Sequence, residues 1–159
     1  MAVFFSFHYE RDYWRVQQIF QMGALAGQTI LNTQEWEAVK RKGDQAIKDW
    51  IAEQMAYKTA VVVLVGAQTA SRSWVSYEIT KAWNDKRPLI GIRIHGLKDT
   101  SGKMDLPGAN PFEGVKFPSG GSLASYVPLK NPIGANSNEV YASIKANLKT
   151  WVDDAYKRP

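Results

Sequence analysis

The stretch TAVVVLV, Thr59 to Val65, runs into GAQTASRSWVSYEITKAW, ending at Trp83. The first run shows no hydrophobic alternation and is mostly β-branched, which describes a strand covered on both faces, hence central and parallel. The residues after it change period. From Ser71 to Trp83, Val75, Ile79, Ala82 and Trp83 recur as one apolar helical stripe. At about 100° per residue, Glu78 falls on the edge of that stripe, about 80° from its centre. Trp74 lies one turn earlier on nearly the same face. A carboxylate there, beside an indole, is expected to be partly desolvated with a raised pKa. The plainer alternative is a surface pairing with Lys81, one turn further on.

Working outward, Val3 to Phe7 in MAVFFSFHYERD is another apolar run, broken by Ser6 alone, and reads as a strand. Asp12 reads as a helix start, with Trp14, Ile19, Phe20 and Leu25 as a buried stripe through about Ala24. Gln28 to Leu31 suits a short second strand, and Asn32 to Gly43 a polar connection containing Trp36. Asp44 opens a helix in which Ile47, Trp50, Ile51 and Met55 repeat at helical spacing. Downstream, PLIGIRI, Pro88 to Ile94, is a further strand. From Gly96 to Asn136 glycine and proline recur without periodicity, a long insert expected to be functional or mobile. A last strand is expected near Tyr126 to Leu129. Ser137 opens a C-terminal helix, reaching residue 156, with Val140, Ile144, Leu148, Trp151 and Ala155 facing inward. The alternation predicts an α/β fold: one flavodoxin-like open parallel sheet of about five strands, ordered 2-1-3-4-5, with helices on both faces, in one domain over 1–159.

Composition narrows the function. The absence of cysteine excludes disulfides and thiolate metal sites, and two histidines are too few for a typical zinc site, so no metal is expected. No apolar run approaches a membrane span and no signal peptide is visible, which predicts a soluble cytoplasmic protein. The net charge of +5 comes from scattered residues, with the densest cluster at KRKG, Lys40 to Gly43. No nucleic-acid-binding signature accompanies it. A phosphate-bearing small molecule remains compatible with the charge.

In an open sheet of this order, ligands bind beyond the carboxyl ends of the first and third strands. Phe7, His8, Tyr9 and Glu10 leave the first strand there; Gly66 to Ser73 leave the third, followed by Trp74 and Glu78. Amides and hydroxyls of Gln68 to Ser73, Ser71 among them, sit near a helix N-terminus and could hold a phosphate with help from Arg72. A phosphorelay receiver is excluded because VLVGAQT lacks the phosphoacceptor aspartate. A dinucleotide oxidoreductase is disfavoured because HYERD is not G-x-G-x-x-G.

FFSFHYERD resembles the opening strand and loop of a Toll/interleukin-1 receptor (TIR) domain. The Trp-x-x-x-Glu-Ile spacing of Trp74, Glu78 and Ile79 resembles the TIR helix motif, and the likeness runs from Val3 to about Ile94. More narrowly, FFSFHYE-x-D and WEAVKRKGDQAIKDWI look like the prokaryotic TIR-like proteins of Thoeris anti-phage defence. The resemblance implies cleavage of NAD+ to nicotinamide and a cyclic ADP-ribose isomer, a diffusible signal that activates a separate effector. It implies Glu78 as the catalytic residue, with Phe7, His8 and Trp74 binding substrate; Tyr9, from its place at the strand end, and Ser71, from its place near the helix N-terminus, complete the expected substrate-binding set. NAD+ is then a substrate and no cofactor is expected; nor is a nucleic-acid or membrane partner. A phage-derived activator and a homo-oligomer are both compatible with the resemblance. The alternative is a non-catalytic TIR-like scaffold that binds other TIR domains or an effector. Two departures stand out: no proline-containing loop follows the second strand, and the 96–136 insert is longer than in receptor TIR domains.

Overall fold

The computed structural model describes residues 2–25 and 33–159. Four strands, β1 (Val3–Ser6), β2 (Ala60–Val65), β3 (Leu89–Arg93) and β4 (Leu129–Lys130), form one parallel sheet in that order. The pairing runs Val3 to Ala60 and Ser6 to Val63 on one side of β2, and Val61 to Leu89 through Val65 to Arg93 on the other. These are the expected first, third, fourth and fifth strands, in the expected neighbour relations. The expected second strand, Gln28 to Leu31, lies outside the described residues, so the sheet among the described residues has four strands.

Every residue of β2 is buried. Its side chains alternate between two cores, as the period of a strand requires. Val62 and Leu64 join Val16 and Ile19 of α1 (Tyr9–Gln21) and Val140, Ile144, Leu148 and Val152 of the C-terminal helix, Ser137–Asp153. Val61, Val63 and Val65 join the other core. There they meet Ile47, Ile51 and Met55 of the helix Asp44–Met55 and Val75, Ile79 and Ala82 of the helix Ser73–Asn84. With α2 (Thr33–Lys40) between α1 and the helix at Asp44, these three helices are α3, α4 and, at the C-terminus, α5. Burial on both faces explains why the sequence of β2 carries no alternation.

Several local expectations are corrected. The first helix starts at Tyr9, before Asp12, because His8 is its cap: Nδ1 accepts from the Arg11 amide at 3.2 Å. The buried residues of α1 include Asp12, Arg15, Val16 and Ile19, and Trp14 is left 44% exposed. The polar connection before Gly43 contains a helix, α2, that buries Trp36. Gly43, with φ of 97°, caps α3 in place of Asp44. The last strand pairs through Leu129 and Lys130, at the far end of the expected stretch, and α5 ends at Asp153, short of residue 156.

The region between β3 and β4 takes the place of a crossover helix. It is irregular, with 3-10 turns at Pro111–Gly114 and Leu123–Ser125, yet Phe112, Leu123 and Val127 are buried in the α3/α4 core. Gly91 makes room for this: a Cβ there would come within 2.8 Å of the Phe112 ring. The same region is tied to α1. Arg15 donates to the carbonyls of Leu97 (2.7 Å) and Lys103 (3.1 Å), and Gln18 to that of Lys98 (2.7 Å).

Candidate functional site

β1 feeds α1 on one face of the sheet, whereas the adjacent β2 feeds α4 on the other. Connections that diverge in this way leave a crevice at the carboxyl ends of the two strands. A pocket lies there, and Phe7, Tyr9, Glu10, Trp36, Trp50, Arg72, Trp74 and Glu78 are among the residues lining it. Its cavity volume is about 40 Å³, room for about three water molecules.

Glu78 is buried among the inward residues of α4. Phe4 and Ser6 share one face of β1, the face on which α4 packs, so the Ser6 hydroxyl meets the acid. Ser6 Oγ donates to Glu78 Oε1 at 2.9 Å. Burial pushes the Glu78 carboxyl up to about 8, against the smaller opposing pull of the Ser6 hydrogen bond. The acid is therefore mainly protonated at neutral pH, and a cation arriving beside it favours the charged form. Glu78 is more deeply buried than its place on the stripe edge suggests.

The walls are aromatic. Phe7 stacks on Tyr9 with ring centres 5.5 Å apart, Tyr9 meets Trp36 at 5.9 Å, and Trp36 meets Trp50 at 5.6 Å. The rim is charged: Glu10 takes Lys40 at 3.0 Å on one oxygen and Arg72 at 3.2 Å on the other.

Phe7, Tyr9, Trp74 and Glu78 thus line one pocket. His8 and Ser71 do not. His8 caps α1, and burial, followed by the nearby Arg72 charge, lowers its pKa, which keeps Nδ1 an acceptor. The Ser71 hydroxyl donates to the Gln68 carbonyl at 2.8 Å, on the exposed side of its turn. Ser6, Lys40 and Trp50 belong to the site although sequence reasoning does not single them out for it. Ser6 carries one available signal, as the polar interruption of an apolar strand. Lys40 and Trp50 carry none, since helix packing brings them in. Among the described residues, no group of three His, Cys, Asp or Glu side chains is placed to hold a metal ion. No helix among them is long and apolar enough to cross a membrane.

A parallel sheet with its crevice at this strand pair, and a helix that brings Trp74 and Glu78 into it, define a TIR-like domain. The family model for "Thoeris protein ThsB, TIR-like domain" matches residues 4–99, and the chain belongs to that family. It is also 34% identical over 131 residues to the Bacillus cereus (strain MSX-D12) protein named "Putative cyclic ADP-D-ribose synthase ThsB1". That match covers 75% of this chain and 66% of the relative, so the chain spans just under two thirds of the relative's length.

Proposed function

We propose that this chain cleaves NAD+ to nicotinamide and a cyclic ADP-ribose isomer, with Glu78 as the catalytic residue. The observation that carries the reading is the buried Glu78 carboxyl, bonded to Ser6 and set in the wall of an aromatic pocket. The name of the Bacillus relative supports the same chemistry.

The bond that breaks joins the ribose anomeric carbon to a cationic pyridine nitrogen. Its electron pair goes to that nitrogen and nicotinamide leaves neutral, so the step calls for neither a general acid nor a metal. The incoming pyridinium favours ionised Glu78, whose proton leaves to solvent as substrate binds, and the carboxylate then stabilises the oxocarbenium-like transition state. Ring closure follows when a nucleophile of the same molecule attacks the anomeric carbon and loses its proton to solvent. Phe7, Tyr9, Trp36 and Trp74 favour this over hydrolysis by excluding water and folding the substrate back on itself.

The enzyme works in the cytoplasm, as a monomer or a homo-oligomer; a phage-derived activator triggers its turnover, and its nucleotide product reaches a separate effector. NAD+ serves as substrate, and no cofactor is required. The test compares infected cells carrying wild-type protein or Glu78→Gln by mass spectrometry of small molecules. Nicotinamide and a cyclic ADP-ribose isomer are expected from wild type alone. Equal products from both defeat the catalytic assignment, and products from neither favour a non-catalytic scaffold.

A further inference from the structure

The rim of the pocket holds a charge arrangement that the chemistry at Glu78 does not use. Each oxygen of Glu10 takes one cation, Lys40 from α2 and Arg72 from the segment before α4. Glu10 and Arg72 line the same pocket as Glu78. Lys40 lies one helical turn from Trp36 and holds its ammonium 5.9 Å from that ring, so one helix supplies both an aromatic wall and a rim cation.

We propose that Lys40 and Arg72 form the subsite for the diphosphate of a dinucleotide, and that Glu10 occupies it as an internal carboxylate until substrate displaces it. This inference rests on the reading of NAD+ as substrate. The three side chains are 36–41% exposed, and exposed ion pairs hold weakly, so the exchange costs little. A diphosphate diester carries one negative charge per phosphate, matching one cation each, whereas Glu10 offers a single charge to both cations. The Arg72 guanidinium can also bind a phosphate through two parallel N–H donors. Released Glu10 remains in the first turn of α1, where the helix N-terminus favours an acid. Two neighbours share the cluster: His8 Nδ1 lies 3.6 Å from Glu10, and Glu37 lies 3.8 Å from Lys40.

The test uses calorimetric binding of NAD+ and of nicotinamide riboside, which has the pyridinium ribose without the diphosphate. All measurements are made in a Glu78→Gln background so that neither ligand turns over. Arg72→Gln and Lys40→Gln are each expected to weaken NAD+ about tenfold and to leave nicotinamide riboside within about twofold. Glu10→Gln is expected to tighten NAD+ alone. Equal losses for both ligands, or weaker NAD+ binding in Glu10→Gln, overturn the subsite and leave the proposed function standing. Failure of the background protein to bind either ligand overturns both.

Discussion

Two buried acids sit near the carboxyl ends of the strands, and they are built differently. Asp12 is fully buried, and its Oδ1 accepts from Arg15 Nη1 at 2.9 Å. Burial raises its pKa, and the guanidinium pulls against that rise. Glu78 is also buried, but its opposing partner is a neutral hydroxyl. Asp12 packs over Gly66, where a Cβ would collide with its carboxylate. The Asp12–Arg15 pair joins α1, the end of β2 and the carbonyls of the insert, which is a structural task. Glu78 joins nothing comparable and faces a cavity. An acid whose desolvation is left uncompensated beside a pocket is a candidate for chemistry; an acid matched by a cation is a candidate for architecture.

The largest effect expected from this contrast is on stability against pH. Unfolded Glu78 loses its proton near 4.5, whereas the folded group holds it until about 8. The folded state therefore binds more protons across that window, and stability falls as pH rises through it. Glu78→Gln removes the penalty. It is expected to stabilise the protein by up to about 5 kcal/mol above about pH 8, and by little near about pH 4, in urea unfolding. A variant no more stable than wild type in alkaline buffer breaks the contrast.

Removing the cation from the other acid has the opposite sign. Arg15→Met leaves Asp12 buried without its charge partner and is expected to cost about 3–5 kcal/mol in the same measurement. A loss below about 1 kcal/mol, the range of an exposed pair, would make Asp12 and Glu78 equivalent.

Activity supplies two smaller effects. With Glu78 needed as carboxylate, kcat/KM for NAD+ is expected to drop about tenfold per pH unit below about 8 and to level off above it. A profile that stays flat through neutral pH contradicts this. Ser6→Ala removes a hydrogen bond that favours the charged form, so the inflection moves up by as much as about one unit. An unchanged inflection reduces Ser6 to packing.

The parts of the fold legible in the sequence are those where hydrophobic period and burial agree. β2, α4 and α5 are examples, because apolar residues recur along their inward faces. The phase of α1 is hidden because polar side chains, Asp12, Arg15 and Gln18, occupy its buried face. α2 is equally hidden, since its short sequence TQEWEAVK holds too few apolar positions to show a period. The insert buries Phe112, Leu123 and Val127 through turns, which leave no periodic trace. At the site, Phe7, Tyr9, Trp74 and Glu78 are legible from strand ends and helix spacing. The Ser6 to Glu78 bond spans 72 residues, and the pairing of Glu10 with Arg72 spans 62; both depend on strand pairing and packing that local sequence does not display.

The most direct measurement is a carbon-detected NMR titration of the Glu78 carboxyl, assigned by its loss in Glu78→Gln. A midpoint near 8 is expected in the free protein, moving down when NAD+ is added. A midpoint near 4.5 that NAD+ leaves in place would contradict a catalytic acid held uncharged in wait for its substrate.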